Sequence, residues 1–565
     1  MTAPSLVPAR SRLPGLPAVD LPSARSAVWP KAALALALLL QFHLVLTRSI
    51  NWDEFWYYSL VEQYARGSLS VPLQTVHVHL FRWLTWLPGN GVDHIVVGRI
   101  AMFMAELFTL GAIFGISAHF TDRRTGLFCA LAYLTSIYAF QHGFAFRADP
   151  LAAALTTSAL YVLLVTRLRA RDIVLFALLL AMAGMVTIKA VLYAPAFAGV
   201  AWLRIAEADR RPAMIARLGI ALAATAAAFC ILYAGHAWSL ARPDLQTAAP
   251  AAKEAANYVI RFGWPTETYY QTHALRSPLL TLILLASPLA LARASLNRSR
   301  KLALAGMLAT VLCFFFYVNT LAYFYAFILP PMICGACIAV HWLTQRYSSA
   351  LIAGVMAICV VILWVLAPPS PIAKQRVLLD AASEMFPRPV AYFDFCGMLG
   401  KFEKANPFMT TWGMWSYVAA GEPVMRERME KQVVPLVLAS EQETYLNFGS
   451  LLTTKGHLPF FLDADAAAIR GNYLQFWGPF WLAGKAVPAD GIARREDFLV
   501  PGPYTVHDAA VAVDGTLYRP GDVVQLGRGE HSLQAVNHAA ARLFWGNRIK
   551  PPAYAPPKRE WWVNF

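Results

Sequence analysis

Apolar residues in this 565-residue chain come in long blocks separated by short polar and basic stretches. The first block, WPKAALALALLLQFHLVLT from Trp29 to Thr47, supplies the roughly 20 apolar residues needed to cross a bilayer. Ten further blocks follow at about 97–119, 126–142, 150–166, 173–188, 191–204, 215–239, 277–292, 302–320, 324–343 and 349–367. The pattern predicts about eleven transmembrane helices within residues 27–367. A signal peptide would need a small-residue cleavage site after the first block. Thr47-Arg48-Ser49-Ile50-Asn51-Trp52 offers none, so the block is expected to stay as the first span. Residues 1–26 lack periodicity and read as a disordered tail.

Between the first two blocks, residues 48–96 carry the patterns LVEQYARGSL and HLFRWLTWLPG, expected as short interfacial helices with Trp52, Trp56, Trp83 and Trp86 as belt aromatics. A second long connection, about 240–276, holds Lys253, Glu254, Arg261 and Trp264. Beyond the last block the periodicity changes. From 368 to 497, VAYFDF and VVPLVLA alternate with the helical VMRERMEKQ, which predicts an α/β domain. From 498 to 565, GPYTVH, AAVAVDGTLYRPGDVVQLGRGEHSLQAV and ARLFWG read as short strands. Asp514-Gly515, Pro520-Gly521 and Gly527 mark turns, so a β-sandwich-like module with a Pro-rich tail is expected. The fold class is thus a polytopic α-helical membrane protein with a C-terminal α/β plus β-rich region.

Composition agrees with the blocks. Hydrophobic residues make up 58% and charged residues 14%, with a mean hydropathy of +0.47, against about 45–50% and about 25% in soluble proteins. A net charge of +15 would raise nucleic-acid binding in a soluble chain. Here the basic residues sit between apolar blocks, with no basic stripe interleaved with aromatics, so no nucleic-acid partner is expected. Arg123 and Arg124, Arg167 to Arg171, Arg204 to Arg217, Arg293 to Lys301, and Arg346 fall in alternate connections. The positive-inside rule makes that side cytoplasmic, together with the N-terminus, and an odd number of spans puts everything after about 368 outside. Cys334 and Cys337 form a CxxC inside ICGACIAV, which reads as one face of a lipid-buried helix rather than a redox or zinc site.

Candidate chemistry lies at the outer ends of the blocks. Asp53 and Glu54 follow the first span by about five residues, and carboxylates at a membrane edge are functional candidates, though a helix cap is the plain alternative. Helical neighbours point about 100° apart, so one should face a cavity while the other supports it. Asp149, in Phe146-Arg147-Ala148-Asp149-Pro150, falls on the same outer side and could equally be an N-cap. Lys189 stands between two apolar blocks, where snorkelling at a helix end is the alternative. Two acids, Arg147 and Lys189 at the mouths of separate spans describe a cavity for a phosphate and a hydroxyl nucleophile. His77, His79 and His94 are weak metal candidates.

These residues and their order resemble the integral-membrane glycosyltransferases of the GT-C type, in the branch containing the protein O-mannosyltransferases and the aminoarabinose transferase of lipid A. Asp53-Glu54 matches that branch's acidic pair after the first span, and His77-Val78-His79-Leu80 stands where it has His-Pro-Pro-Leu. Arg147-Ala148-Asp149-Pro150 and Lys189 match its later motifs, and Tyr325 falls in a stretch resembling its Tyr-then-Pro segment. The resemblance covers about residues 28–340. It implies inverting transfer of one sugar from a polyprenyl-phosphate donor to a lipid, glycan or protein acceptor, on the periplasmic face of a bacterial inner membrane. In that frame Asp53 is the general base, Glu54 orients the loop, and Asp149 positions the acceptor or a cation and tunes Asp53. Arg147 and Lys189 neutralise the departing phosphate, and Tyr325 and His77 line the donor site. Two acids leave a divalent metal open; no other cofactor is called for. The alternatives are a transporter of lipid-linked sugars and a non-catalytic assembly scaffold. Convergence of Asp53, Asp149 and Lys189 on one cavity separates the enzyme from both.

Overall fold

A computed structural model describes residues 27–241, 262–263, 267–407, 409–440, 448–453, 456, 458–558 and 561–562. The expected tail at 1–26 and Lys253, Glu254, Arg261 and Trp264 lie outside the described residues.

The helical part comprises α1 (Val28–Thr47), α2 (Trp52–Ala65), α3 (His77–Phe81), α4 (Gly91–Phe120), α5 (Arg123–Leu134), α6 (Ile137–His142), α7 (Ala148–Val165), α8 (Ala170–Val186), α9 (Ala194–Ala206) and α10 (Arg211–Ser239). It continues through α11 (Glu267–Arg276), α12 (Pro278–Arg293), α13 (Arg298–Leu308), α14 (Ala322–Gly335), α15 (Cys337–Arg346) and α16 (Ser349–Val365). Each apolar block falls largely on helix, residues 316–320 of the block 302–320 lying beyond it. Among the described residues, α1, α4, α7, α10 and the run Ile188–Ala206 are each long and apolar enough to cross a membrane. Two pairs bent by 101° and 60°, α11 with α12 and α14 with α15, bring the number to seven. Other blocks are shorter or interrupted: Ser136 caps α6 just after α5 ends, and Thr187 caps a 3-10 turn (Ile188–Tyr193) between α8 and α9.

Pro330 and Pro331 sit inside α14 and cannot donate to the carbonyls four residues earlier, Ala326 and Phe327. Those two carbonyls instead accept from the hydroxyls of Tyr133 (3.0 Å) and Tyr193 (2.6 Å). In a hydrocarbon setting a freed backbone group needs such a partner, so the prolines fix α14 against α5 and the 3-10 turn. Cys334 and Cys337 are buried and unbridged in this helical core.

After α17 (Ile372–Met385) come twelve strands: β1 (Ala391–Asp394), β2 (Glu403–Lys404), β3 (Leu436–Leu438), β4 (Tyr473–Trp477), β5 (Phe480–Val487), β6 (Arg494–Phe498), β7 (Gly502–His507), β8 (Val511–Val513), β9 (Thr516–Tyr518), β10 (Val523–Leu526), β11 (Gly529–Ala535) and β12 (Ala541–Trp545). One sheet runs β10-β7-β12-β5-β3-β1-β2 with β4 beside β5, and the other runs β6-β11-β8-β9. Their inner faces meet through Tyr504, Val506 and Leu543 on one side and Phe498, Val511 and Leu533 on the other. Asp514 (φ 47°) and Gly515 (φ 83°) make the two-residue turn between β8 and β9, a left-handed pair that Asp-Gly adopts at low cost. The large sheet crosses the 497/498 boundary that the sequence suggests. Its strand β5 pairs with β3 through Phe480–Leu482 and with β12 through Gly484–Val487.

The two parts share a core. Phe55 and Tyr58 of α2 are buried with Leu378 and Leu379 of α17, Tyr392 of β1, Phe480 of β5, Trp561 and Trp562. Helix α2 is therefore sandwiched between the helices and the sheet, while Trp86 in the same connection is 74% exposed.

Candidate active site

Asn51 starts α2 with a capping box. Its side chain accepts from the Asp53 amide (3.0 Å), and its own amide donates to Glu54 Oε2 (3.0 Å). From there the two acids diverge. Glu54 points inward and is 1% exposed. It accepts from Arg99 Nε (2.7 Å) and Nη2 (2.5 Å) and from the Phe146 amide (2.7 Å). Arg99 also donates to the carbonyls of Arg48 and Ser49, each at 2.7 Å. Gly98 lets Phe146 lie flat against α4, since a Cβ there would come within 2.6 Å of the ring. Burial works against the Glu54 charge, but Arg99 and the backbone donors outweigh it and hold the carboxyl below its ordinary range.

Asp53 faces the other way. Its Oδ2 lies 2.5 Å from Arg147 Nη1, whose Nε is 3.8 Å from Asp149 Oδ2. Lys189 pairs with Asp149 Oδ1. The Arg147 guanidinium sits 3.3 Å from the centroid of the Tyr323 ring, and Lys189 Nζ sits 5.4 Å from it. The Asp53 side chain is 20% exposed, against 2% for Asp149, so it is the open carboxylate of the group. Burial raises the Asp53 carboxyl above its ordinary range while Arg147 pulls the other way. Asp149 is the second residue of α7 rather than its cap; Pro150 follows it in the first turn, and its side chain serves Lys189.

The remaining expected residues have other neighbours. His77 is fully buried, stacks on Tyr57 at 3.8 Å, and its Nε2 donates to the Tyr57 carbonyl (3.1 Å). Burial pushes its imidazole down to about 4. It thus supports Tyr57, one helical turn after Asp53, and is not itself among the paired charges. Tyr325 stacks on His273 and meets Tyr138, each at 4.9 Å. Tyr323, two residues earlier, is the one that covers Arg147. His79 bonds His236 (2.8 Å), and His94 bonds Tyr58 (2.5 Å). The acids a divalent cation would need are each matched already, Asp53 by Arg147 and Asp149 by Lys189. No group of three or more His, Cys, Asp or Glu among the described residues is arranged to hold a metal ion. Arg99 and Tyr323 are the residues that sequence reading passes over.

No protein-family profile matches the sequence, and no curated protein does. Solved structures do match. The apo oligosaccharyltransferase of Archaeoglobus fulgidus superposes with a TM-score of 0.55 at 11% identity, over 94% of this chain and 98% of that one. The fold is that of the GT-C glycosyltransferases. AglB of the same organism, in complex with an inhibitory peptide and a dolichol-phosphate, aligns with a TM-score of 0.50 at 12% identity, over 90% of this chain and 76% of that one. ArnT from Cupriavidus metallidurans, bound to undecaprenyl phosphate, aligns over 71% of this chain and 88% of that one, at 14% identity and a TM-score of 0.49. The charged cluster lies where α2, the start of α7, the 3-10 turn and α14 meet.

Proposed function

We propose that this protein is an inverting glycosyltransferase that moves a single sugar from a polyprenyl phosphate to a lipid, glycan or protein acceptor. It works at the periplasmic face of a bacterial inner membrane, with about eleven crossings, a cytoplasmic N-terminus and residues from about 368 onward in the periplasm. The observation that carries this reading is the meeting of Asp53, Arg147, Asp149, Lys189 and Tyr323, from four elements, in one ion-paired cluster with a single open carboxylate. The dolichol-phosphate held by AglB, which has the same fold, supports a lipid phosphate as donor.

At rest, two cations balance two carboxylates. An entering sugar phosphate competes with Asp53 for Arg147 and with Asp149 for Lys189. When Arg147 turns to the phosphate, Asp53 loses the cation that restrains its proton affinity and becomes the stronger base. Asp53 then takes the proton of the acceptor hydroxyl as that oxygen bonds the anomeric carbon from the face opposite the phosphate. The carbon–oxygen bond to phosphate breaks, and its electron pair leaves with the phosphate. Arg147 and Lys189 offset that charge in a partly dry site, where a fixed cation is worth more than in water. Glu54 touches no reactant in this scheme; through Arg99 and Phe146 it fixes the helix start and the turn that carry Asp53 and Arg147.

The test is incubation of the purified protein in lipid with a panel of radiolabelled polyprenyl-phosphate sugars, with and without a membrane extract as acceptor. Release of polyprenyl phosphate that needs the extract is the expected result. No release with any donor from a folded protein would turn the reading toward a transporter or a scaffold.

A further inference from the structure

Asp53 lies three residues after Ile50, and Ile50 is gripped from the sheet side of the molecule. Gln375 of α17 is fully buried. Its Oε1 accepts from the Ile50 amide (2.9 Å), and its Nε2 donates to the Ile50 carbonyl (2.8 Å) and to the Trp561 carbonyl (2.9 Å). One carboxamide thus satisfies both backbone groups of the residue before the Asn51 cap and ties them to the end of the chain. Trp562 closes the grip. Its ring meets Phe55 at 5.5 Å and Trp52 at 6.2 Å, and its Nε1 donates to the Ser440 carbonyl just past β3 (2.7 Å). Trp52 also meets Phe395, just past β1, at 6.0 Å. The chain reaches this point across the β4–β5 turn, where Trp477 Nε1 donates to the Tyr554 carbonyl (3.1 Å) and Pro556 lies against Gly478.

We propose that Gln375, together with Trp562, is a positioning residue for Asp53: the clamp on Ile50 and Trp52 fixes the first turn of α2 and with it the approach of the Asp53 carboxylate to Arg147. This rests on Asp53 being the base of the transfer proposed above. The physical need is plain. Glu54 anchors the turn from the helical side through Arg99 and Phe146, and an anchor on one side alone lets the turn rock about it. A displacement of about 1 Å at a reacting group costs on the order of 100-fold in rate.

Full-length Gln375→Ala and Trp562→Ala proteins in lipid test this with three readouts. The kcat for transfer falls by about 10- to 100-fold, while KM for the donor stays within about twofold. The acid limb of the kcat/KM profile, which reports the free enzyme, moves to higher pH, because an Asp53 farther from Arg147 keeps its burial and loses its cation; Asp149 and Lys189 remain paired. Amides within 49–58 exchange hydrogen faster, and those of α7 and α10 do not. Combining the two substitutions adds little to either alone, since both open one clamp. Trp562→Phe, which keeps an aromatic ring against Phe55 and Trp52 but loses the Nε1 bond to Ser440, recovers part of the rate. Ser383→Ala, on the same helix with its hydroxyl on its own Leu379 carbonyl, changes nothing. Wild-type kcat in Gln375→Ala overturns the proposal. So does a loss of kcat with an unmoved acid limb and exchange raised throughout, which marks general loosening. If the wild-type protein transfers no sugar, the functional reading fails by itself. The clamp is then judged by exchange, and unchanged protection at 49–58 overturns it.

Discussion

Asp53 and Glu54 are neighbours of equal charge that end in two differently built regions. Around Glu54 each carboxylate oxygen accepts from two protein donors, and the residue is 1% exposed. Around Asp53 one guanidinium makes the pairing, and a fifth of the side chain stays open. A saturated, closed ion pair holds elements together; a half-open one can exchange partners with a substrate. That contrast assigns their roles more sharply than their residue types do.

The largest expected break in the comparison comes from Asp53→Asn. It should lower transfer by about 10²- to 10⁴-fold, the range of general-base contributions, with thermal unfolding of the purified protein unchanged. Glu54→Leu should do the reverse. Leaving Arg99 buried without its partner costs about 3–5 kcal/mol, read as a lower unfolding temperature and yield. The paired change Glu54→Leu with Arg99→Leu should recover a large part of it, because an apolar pair carries no desolvation penalty. If Glu54→Leu instead leaves stability intact and removes only activity, the two acids have been assigned the wrong way round.

A smaller effect concerns His77. Its folded value of about 4 lies below the ordinary 6.5, so the unfolded chain takes the proton first. Stability is full above pH 6.5 and falls by about 3 kcal/mol as pH drops toward 4. Unfolding measured across that range should show a loss that is smaller by about that amount in His77→Phe than in wild type. The smallest effect separates two tyrosines. Tyr323→Leu should raise the donor KM a few-fold, consistent with about 0.5–2 kcal/mol for a cation over a ring. Tyr325→Leu should leave the donor KM alone, since its ring meets His273 and Tyr138.

Much of this was open to sequence reading because it is local. Apolar blocks predict helices wherever they lie, and Asp53, Arg147, Asp149 and Lys189 sit at block ends, where a charge stands out. Arg99 was hidden for the opposite reason: it lies inside the block 97–119. Its signal, shared with Glu106, is a charge in an otherwise apolar helix. Glu106 accepts from Gln41 Nε2 at 3.1 Å deep in the helical part. Tyr323 and Tyr325 are two residues apart on one helix, about 200° around its axis, and no local pattern says which side meets Arg147. The grip of Gln375 on Ile50 joins residues 325 apart in the sequence. The sheet's passage through β5 likewise depends on pairing that only the folded chain reveals.

The most direct test is single-turnover release of polyprenyl phosphate from the active donor, in the presence of acceptor extract, by wild type and Asp53→Asn at matched amounts of folded protein. Release by wild type and a loss of at least about 100-fold in the variant is the predicted result. Equal release by the two proteins would contradict Asp53 as the base and the contrast built on it.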